Sequence, residues 1–337
     1  MRLRRVLLTL VVLVLVAGAA YTGYVGYEGS RQLVEASTDP ADCGTPEVQF
    51  GWAYEAINYD IADDAALESR NPGMTQCTDQ GTKAGDEVVT DDGVRIAGWY
   101  IPAANGSGPT APTVVLVHGF NNSKANILAY GEGLHQQFNL VAFDMRNRGR
   151  STGTQTTAGV LEQKDLRAII DWVEREKHPA HLGVLGNSLG AATAMAEARD
   201  DPRVEALALD SMHTRLQYQI EARLQHAGHP AYPGTWAIFL GIRLRTGLDV
   251  GSIDAADEIA QVADRPILLT HGTADTEDLP ARTQQFYDDA LAAGVSIELY
   301  WCEGAGHNAP AGMPVRVCHD EFGTWMQDFF SRALAPV

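Results

Sequence analysis

Ser188 lies in a sequence context that could make its hydroxyl group a nucleophile. It is the middle residue of Gly186–Gly190 (GNSLG), between an apolar run at 181–185 and a run of small residues at 191–196. The first run predicts a strand and the second a helix, so the serine lies on the turn between them. Such a turn holds a serine in a strained backbone conformation with its hydroxyl projecting outward, and the glycines leave room for it.

An acid and a base that could activate this serine follow it in the chain. The apolar run 266–270 predicts a buried strand, and Asp275 lies on the loop just after it. The next predicted strand, 296–301, leads into the loop that carries His307. A serine hydroxyl is a weak nucleophile until a neighbouring base accepts its proton, and a carboxylate can orient that base. These residue types therefore indicate covalent catalysis at Ser188.

The order Ser188, Asp275, His307, with the turn motif, resembles the serine esterases and lipases of the α/β-hydrolase superfamily. The resemblance runs from about Glu87 to the C-terminus, and it extends to the catalytic domains of prolyl-oligopeptidase-type enzymes. It implies the α/β-hydrolase fold, a doubly wound, mostly parallel sheet with helices on both faces. It also implies that His307 is the base toward Ser188 and that Asp275 orients the imidazole.

Two backbone amides are expected to bind the oxyanion of the reaction. The N–H group of Leu189 begins the helix after the nucleophile. By the resemblance, Phe120 supplies the second N–H group from the loop after the predicted strand 113–117. Two other residues are alternatives to Asp275 as the acid. Asp210 lies at the end of the predicted strand before residues 211–262, and some lipases of this fold place the acid there. Asp278 is the weaker alternative.

The segment 143–151 (FDMRNRGRS) resembles the superfamily's D-x-R-x-x-G-x-S loop beside the oxyanion loop. Asp144 and Arg146 are expected to form an ion pair that fixes this loop. The alternative is that the arginines bind a carboxylate or phosphate of the substrate.

Strands and helices are predicted to alternate along most of the chain, after a hairpin with its turn at 91–93. The strands are predicted at 113–117, 139–143, 181–186, 204–209, 266–270 and 296–301. The helices are predicted near 123–135, 160–176, 190–199, 279–293 and 318–333. Residues 211–262 interrupt this alternation, and in the superfamily an insertion here forms a helical cap over the active site. The alternative is a pair of packed helices without substrate contact.

The N-terminus predicts a membrane segment. Three arginines within the first five residues precede an apolar run that starts at Val6. About 22 residues, from Val6 to Tyr27, are enough to cross a bilayer as a helix. The arginines would stay on the cytoplasmic side and the catalytic domain would lie outside. A cleaved signal peptide is the alternative, since 17–19 (AGA) has the form of a cleavage site.

We therefore expect three regions in the chain. Residues 1–27 are the transmembrane anchor or signal peptide. Residues 28–85 are an N-terminal stalk or embellishment, with a helix within 46–67. Residues 86–337 are the α/β-hydrolase domain, with the cap insertion at about 211–262.

The chain has four cysteines, Cys43, Cys77, Cys302 and Cys318. An even number fits an exported, disulfide-bonded protein, although four cysteines allow three connectivities. We predict local pairing, Cys43 with Cys77 and Cys302 with Cys318, and the second bond would close a segment that contains His307. The absence of a C-x-x-C motif argues against a zinc or redox site.

The composition limits the class of function. A formal net charge of −18 argues against nucleic-acid binding, and an apolar fraction of 45% allows a sizeable core. The sequence predicts an exported or membrane-anchored serine hydrolase that cleaves small or lipid-like carboxylic esters without cofactor or metal. Its partner would be the membrane, through the N-terminal helix. The alternatives are a serine peptidase of prolyl-oligopeptidase type and a non-catalytic binding protein with this fold. Oligomeric state and natural substrate stay open.

Overall fold

A computed structural model describes residues 2–35, 44–58, 85–262, 264–307 and 318–335. Its strands in chain order are β1 (Glu55–Ile57), β2 (Gly85–Asp86), β3 (Val88–Val89), β4 (Arg95–Ile96), β5 (Gly98–Ile101), β6 (Thr113–Val117), β7 (Asn139–Phe143), β8 (Leu182–Asn187), β9 (Ala206–Asp210), β10 (Ile267–Gly272) and β11 (Ile297–Cys302). Nine of these strands form one sheet in the order β11-β10-β9-β8-β6-β7-β5-β1-β2, and β3 and β4 form a separate hairpin.

The strands from β6 to β11 are parallel to their neighbours, and β5 is antiparallel to β7 at one end of this parallel block. Every residue of β6 to β10 is buried, because these strands are continuous apolar runs covered on both faces. Parallel strands end at the same edge of a sheet, so the loops after β6, β8, β10 and β11 meet there. The predicted doubly wound, mostly parallel sheet is confirmed.

The helices in chain order are α1 (Arg2–Val34), α2 (Pro46–Phe50), α3 (Lys124–Ile127), α4 (Glu162–Glu176), α5 (Leu189–Asp200), α6 (Leu216–His226), α7 (Ala231–Thr246), α8 (Ala255–Glu258), α9 (Pro280–Ala292) and α10 (His319–Ala333). Side chains of α4, α5, α8 and α9 share one apolar cluster with the sheet. Side chains of α3 and α10 share a second cluster. Most of the buried apolar side chains of the molecule belong to these two clusters.

Two predicted elements differ from the structure. The helix predicted at 123–135 is only four residues long, followed by a 3₁₀ turn at 128–131. Gly133 follows this turn and lies against the backbone of Gly323, where a Cβ atom on Gly133 would lie 2.4 Å from the carbonyl oxygen of Gly323. The helix predicted within 46–67 ends after Phe50, where Gly51 takes a left-handed conformation with φ of 70°.

The N-terminal region is more closely joined to the domain than a stalk would be. β1 pairs with β5, so part of the region 28–85 completes the sheet, and residues 59–84 lie outside the described part of the chain. The helix α1 continues to Val34, beyond the predicted end at residue 27. Its last turns pack along α7, where the small residues Gly26 and Gly29 face Ala237 and Ile238.

Candidate active site

Ser188 lies on the turn between β8 and α5 and has strained backbone angles, φ 51° and ψ −114°. The turn needs the glycines on either side. A Cβ atom on Gly186 would lie 2.5 Å from the Cα atom of Ala191, and one on Gly190 would lie 2.2 Å from the carbonyl oxygen of Val117. Because glycine has no Cβ atom, the backbone can reverse sharply here, and the turn places the Ser188 hydroxyl at the carboxyl edge of the sheet.

The structure brings together the three residues that the sequence grouped. The Oγ atom of Ser188 lies 2.9 Å from Nε2 of His307. The other ring nitrogen of His307, Nδ1, lies 2.8 Å from Oδ2 of Asp275. Asp275 is itself held by the loop after β10, since its Oδ1 accepts hydrogen bonds from the backbone N–H groups of Glu277 and Asp278. A proton could thus pass from Ser188 to His307, with Asp275 fixing the ring.

Electrostatics favour a charged pair of His307 and Asp275. Burial raises the pKa of Asp275, but the hydrogen bond and charge of His307 outweigh it, and the pKa lies below the usual value. Burial lowers the pKa of His307, but the hydrogen bond and charge of Asp275 outweigh it and raise the pKa above 6.5. Asp275 therefore stabilises the imidazolium that would form when His307 accepts a proton.

The two rival acids have different surroundings. The carboxylate of Asp210 accepts hydrogen bonds from Thr270 (2.7 Å) and Asn187 (2.9 Å), and its backbone oxygen accepts one from Ser188 N–H (2.8 Å). Asp210 thus ties the Ser188 turn to the sheet rather than contacting His307. Asp278 lies 3.8 Å from Nδ1 of His307, and burial raises the pKa of Asp278 to about 7.

The two predicted oxyanion donors flank the Ser188 turn. Leu189 begins α5, where the first amides of a helix have no partner within it. Phe120 lies on the loop after β6, and its carbonyl oxygen accepts a hydrogen bond of 2.5 Å from Nε of the buried Arg148. The Arg148 guanidinium also lies 5.1 Å from the centre of the Phe120 ring. Arg148 thus holds the loop that carries Phe120, one of the two predicted donors, and sequence reasoning missed this contact.

The prediction of an ion pair between Asp144 and Arg146 is wrong. Asp144 pairs with the buried Lys124 at the start of α3. Arg146 forms a 2.8 Å pair with Asp165 on α4 and another 2.8 Å pair with Asp92 in the β3–β4 hairpin. The two side chains leave the loop in different directions, because each finds its countercharge on another element.

A small cavity of about 20 Å³ adjoins Ser188. Leu33 and Val34 of α1 line it, with His213 and Leu216 from the cap insertion. His213 is buried, and neither of its ring nitrogens has a hydrogen-bond partner among the described residues. Burial lowers the pKa of His213 to about 4, so the ring is neutral at pH 7. Sequence reasoning missed these residues, because long-range packing brings them to the cavity.

The predicted disulfide between Cys302 and Cys318 is confirmed, with Cα atoms 5.9 Å apart. It closes a segment of the chain that contains His307, as expected. The predicted pair of Cys43 and Cys77 lies outside the described residues. Within the described ranges, no group of three His, Cys, Asp or Glu side chains could hold a metal ion.

Comparisons with known proteins agree with this architecture. The family described as the alpha/beta hydrolase fold matches residues 112–243. The uncharacterized protein Rv2307c of Mycobacterium tuberculosis is 30% identical over 243 residues, which cover 70% of this chain and 77% of that protein. The uncharacterized protein YfhR of Escherichia coli O157:H7 is 31% identical over 195 residues, 56% of this chain and 62% of that protein. This chain thus matches less than two thirds of the length of the latter.

Among solved structures, the esterase Pf2001 of Pyrococcus furiosus is similar, with a TM-score of 0.64 and 21% sequence identity. The similarity covers 87% of this chain and 95% of the esterase. The fold and the Ser188 turn define an α/β hydrolase. The chain belongs to the α/β-hydrolase superfamily.

Proposed function

We propose that the protein is a serine hydrolase that cleaves carboxylic esters, with Ser188 as nucleophile, His307 as base and Asp275 as the acid that orients it. The observation that carries this proposal is the chain of two contacts, 2.9 Å from Ser188 to His307 and 2.8 Å from His307 to Asp275, beginning at a strained serine. The esterase-like fold of the structural neighbour supports it.

In the proposed reaction Ser188 Oγ attacks the acyl carbon while its proton passes to Nε2 of His307. The N–H groups of Leu189 and Phe120 bind the resulting oxyanion. The intermediate collapses, the C–O bond to the alcohol breaks, and His307 donates its proton to the leaving oxygen. Water then attacks the acyl-enzyme and gives a proton to His307. Collapse of the second intermediate releases the carboxylic acid, and the proton returns to Ser188.

We also propose that α1 is a single membrane span, with the catalytic domain on the extracytoplasmic side. The helix has an apolar stretch with a mean hydropathy of 2.3, and none of that stretch is buried in the protein. All of the large apolar side chains from Val6 to Val16 are exposed. Arginines at positions 4 and 5 would keep its start in the cytoplasm. The disulfide between Cys302 and Cys318 fits an oxidising compartment.

A fluorophosphonate probe tests the assignment of the nucleophile. The probe should modify Ser188 covalently in the wild-type protein, and Ser188→Ala should abolish labelling. Ser211→Ala is a matched control, because Ser211 also follows a buried strand with a positive φ of 50° and lies outside the proposed triad. Labelling that persists in Ser188→Ala would refute the nucleophile. Labelling of Ser188 with hydrolysis of peptides but not of esters would favour the peptidase alternative.

A further inference from the structure

The end of α1 is part of the wall around Ser188. Val34 is only 2% exposed, and its carbonyl oxygen accepts a hydrogen bond of 2.9 Å from the backbone N–H of Thr156. Leu33 and Val34 line the same cavity as Ser188. The helix that we propose to cross the membrane therefore ends at the candidate active site.

A second and larger cleft of about 710 Å³ lies between α1 and the cap insertion. It follows the chain along α1 from Glu35 back to Tyr24, a wall that includes the polar residues Glu28, Arg31 and Gln32. The opposite wall includes the apolar residues Ile220 and Leu224 of α6. Leu33, Phe120 and Arg223 line both this cleft and the Ser188 cavity. The Ser188 cavity has room for about one water molecule. An acyl group in the cleft would reach Ser188 when these three shared side chains move apart.

The outer face of α7, beside the same part of α1, is apolar. Its exposed residues Trp236 (58% exposed), Leu240 (39%) and Leu244 (78%) recur every four positions and form one stripe. Tyr232 (80% exposed) precedes them at a kink, where its backbone is not helical. On α1 the neighbouring tyrosines 21, 24 and 27 are also exposed. Exposed aromatic side chains grouped in this way are typical of the boundary between bilayer and water.

The geometry of α1 places the cleft at that boundary. At 1.5 Å per residue, Val6 to Tyr24 spans about 27 Å. This length matches the hydrocarbon core of a bilayer, which is about 30 Å thick. Tyr24, at one end of the cleft, would then lie at the membrane surface, and Leu33 would lie about 14 Å farther along the helix axis.

We propose that Ser188 acts on an ester of a bilayer lipid, which enters from the membrane surface through the cleft between α1 and the cap. The acyl chain lies along the apolar side chains of the cleft, and its ester carbonyl passes Leu33 to reach Ser188. This inference rests on the proposed function. It adds that the substrate is a membrane-resident amphiphile and that the membrane helix forms part of its binding site.

The test uses the full chain reconstituted in vesicles of an ether-linked phosphatidylcholine, which has no carboxylic ester, with dioleoylglycerol as the probe and release of oleate as the readout. The probe is placed either in the same vesicles as the protein or in separate, protein-free vesicles. Hydrolysis of p-nitrophenyl acetate is measured in parallel. We expect oleate release at least about tenfold faster when protein and probe share a bilayer.

A pair of variants tests the cleft itself. Ala227 is an exposed residue on the cleft wall, so Ala227→Trp should fold and fill part of the cleft. Ala292, an exposed residue at the end of α9 and outside the cleft lining, gives the matched control Ala292→Trp. The ratio of dioleoylglycerol to p-nitrophenyl acetate turnover should fall about tenfold or more in Ala227→Trp. In Ala292→Trp the ratio should change by less than about twofold.

The outcomes separate the two proposals. Equal rates from shared and separate vesicles, an unchanged ratio in Ala227→Trp, or hydrolysis of p-nitrophenyl acetate without any oleate release would each overturn the lipid-entry inference and leave the hydrolase intact. If the wild-type protein hydrolysed neither dioleoylglycerol nor p-nitrophenyl acetate and was not labelled by the fluorophosphonate, the proposed function would be overturned, and the inference with it.

Discussion

His307 lies beside two carboxyl groups whose pKa values are shifted in opposite directions. Its hydrogen bond keeps the pKa of Asp275 below the usual value, whereas burial raises the pKa of Asp278 to about 7. Asp278 also accepts a hydrogen bond of 2.8 Å from Gln219 of α6. Asp275 is thus the carboxylate that can stabilise a charged imidazole, and Asp278 links the loop to the cap.

The roles of Asp275 and Asp210 predict different losses of activity. Asp275→Asn should lower kcat by up to about 10⁴-fold, because the amide favours the wrong imidazole tautomer. Asp210→Asn should cost far less, because Asp210 contacts Thr270 and Asn187 rather than His307. Steady-state kinetics on an ester substrate decides between them. A larger loss in Asp210→Asn would transfer the role of the acid to Asp210.

The raised pKa of His307 predicts the pH dependence of the reaction. His307 must be neutral to accept the proton of Ser188, so kcat/KM should rise with pH. The midpoint should lie above the ordinary histidine value of 6.5, since the charge and hydrogen bond of Asp275 outweigh burial. The residual activity of Asp275→Asn should show a lower midpoint. A wild-type midpoint at or below 6.5 would contradict the pairing of His307 with Asp275.

At the scale of elements, α1 docks on α7 through small residues. A Cβ atom on Gly26 would lie 2.8 Å from the Cβ of Ala237, whereas one on Gly23, a turn earlier, would meet nothing within 4 Å. Arg245 of α7 adds hydrogen bonds to Ser30 (3.0 Å) and to Glu35 (2.9 Å). This contact keeps the last turn of α1 at the Ser188 cavity.

Replacing Gly26 should therefore displace α1 from the cap. We expect Gly26→Leu to lower the free energy of unfolding by about 1–3 kcal/mol, as overpacking does elsewhere. It should also raise KM for esters, because Leu33 and Val34 lose their position. Gly23→Leu is the matched control and should leave both quantities near the wild-type values. Thermal unfolding and kinetics on the two variants measure this, and equal effects would show that the contact between α1 and α7 is unimportant.

The sequence predicted those elements whose signal is local. Strands such as 113–117 and 139–143 are continuous apolar runs, and the structure has them at the predicted positions. The strand β1, which lies between β5 and the edge strand β2, has only three residues, too few for an alternating pattern to be recognised. The partners of Asp144 and Arg146 lie 20 and 19 residues away, so spacing alone could not identify them.

The residues of the candidate site that follow a predicted strand could also be predicted from the sequence. Ser188, Asp275 and His307 each follow a recognisable strand, and parallel strands bring such loops to one edge. The wall formed by Leu33 and Val34 could not be predicted. These residues lie in the region 28–85, which the sequence predicts to be a stalk or embellishment, and only the packing of α1 against the cap brings them beside Ser188.

At the scale of the whole molecule, α1 joins a proposed membrane span to a catalytic domain. The full-length protein should sediment with membranes and resist carbonate extraction, because no part of its apolar stretch is buried in the protein. Protease added from the extracytoplasmic side should reach the domain that carries Ser188. A soluble mature protein beginning at Ala20 or Tyr21 would instead show signal-peptide cleavage.

Mass spectrometry of the rapidly quenched reaction can detect the acyl-enzyme that we propose to form on Ser188. With p-nitrophenyl butyrate, we expect an early burst of p-nitrophenol and a butyryl group on the peptide that contains Ser188. Ser188→Ala should show neither, and Ser211→Ala should show both. A butyryl group on another residue, or turnover without a covalent intermediate, would contradict the assignment of Ser188 as the nucleophile.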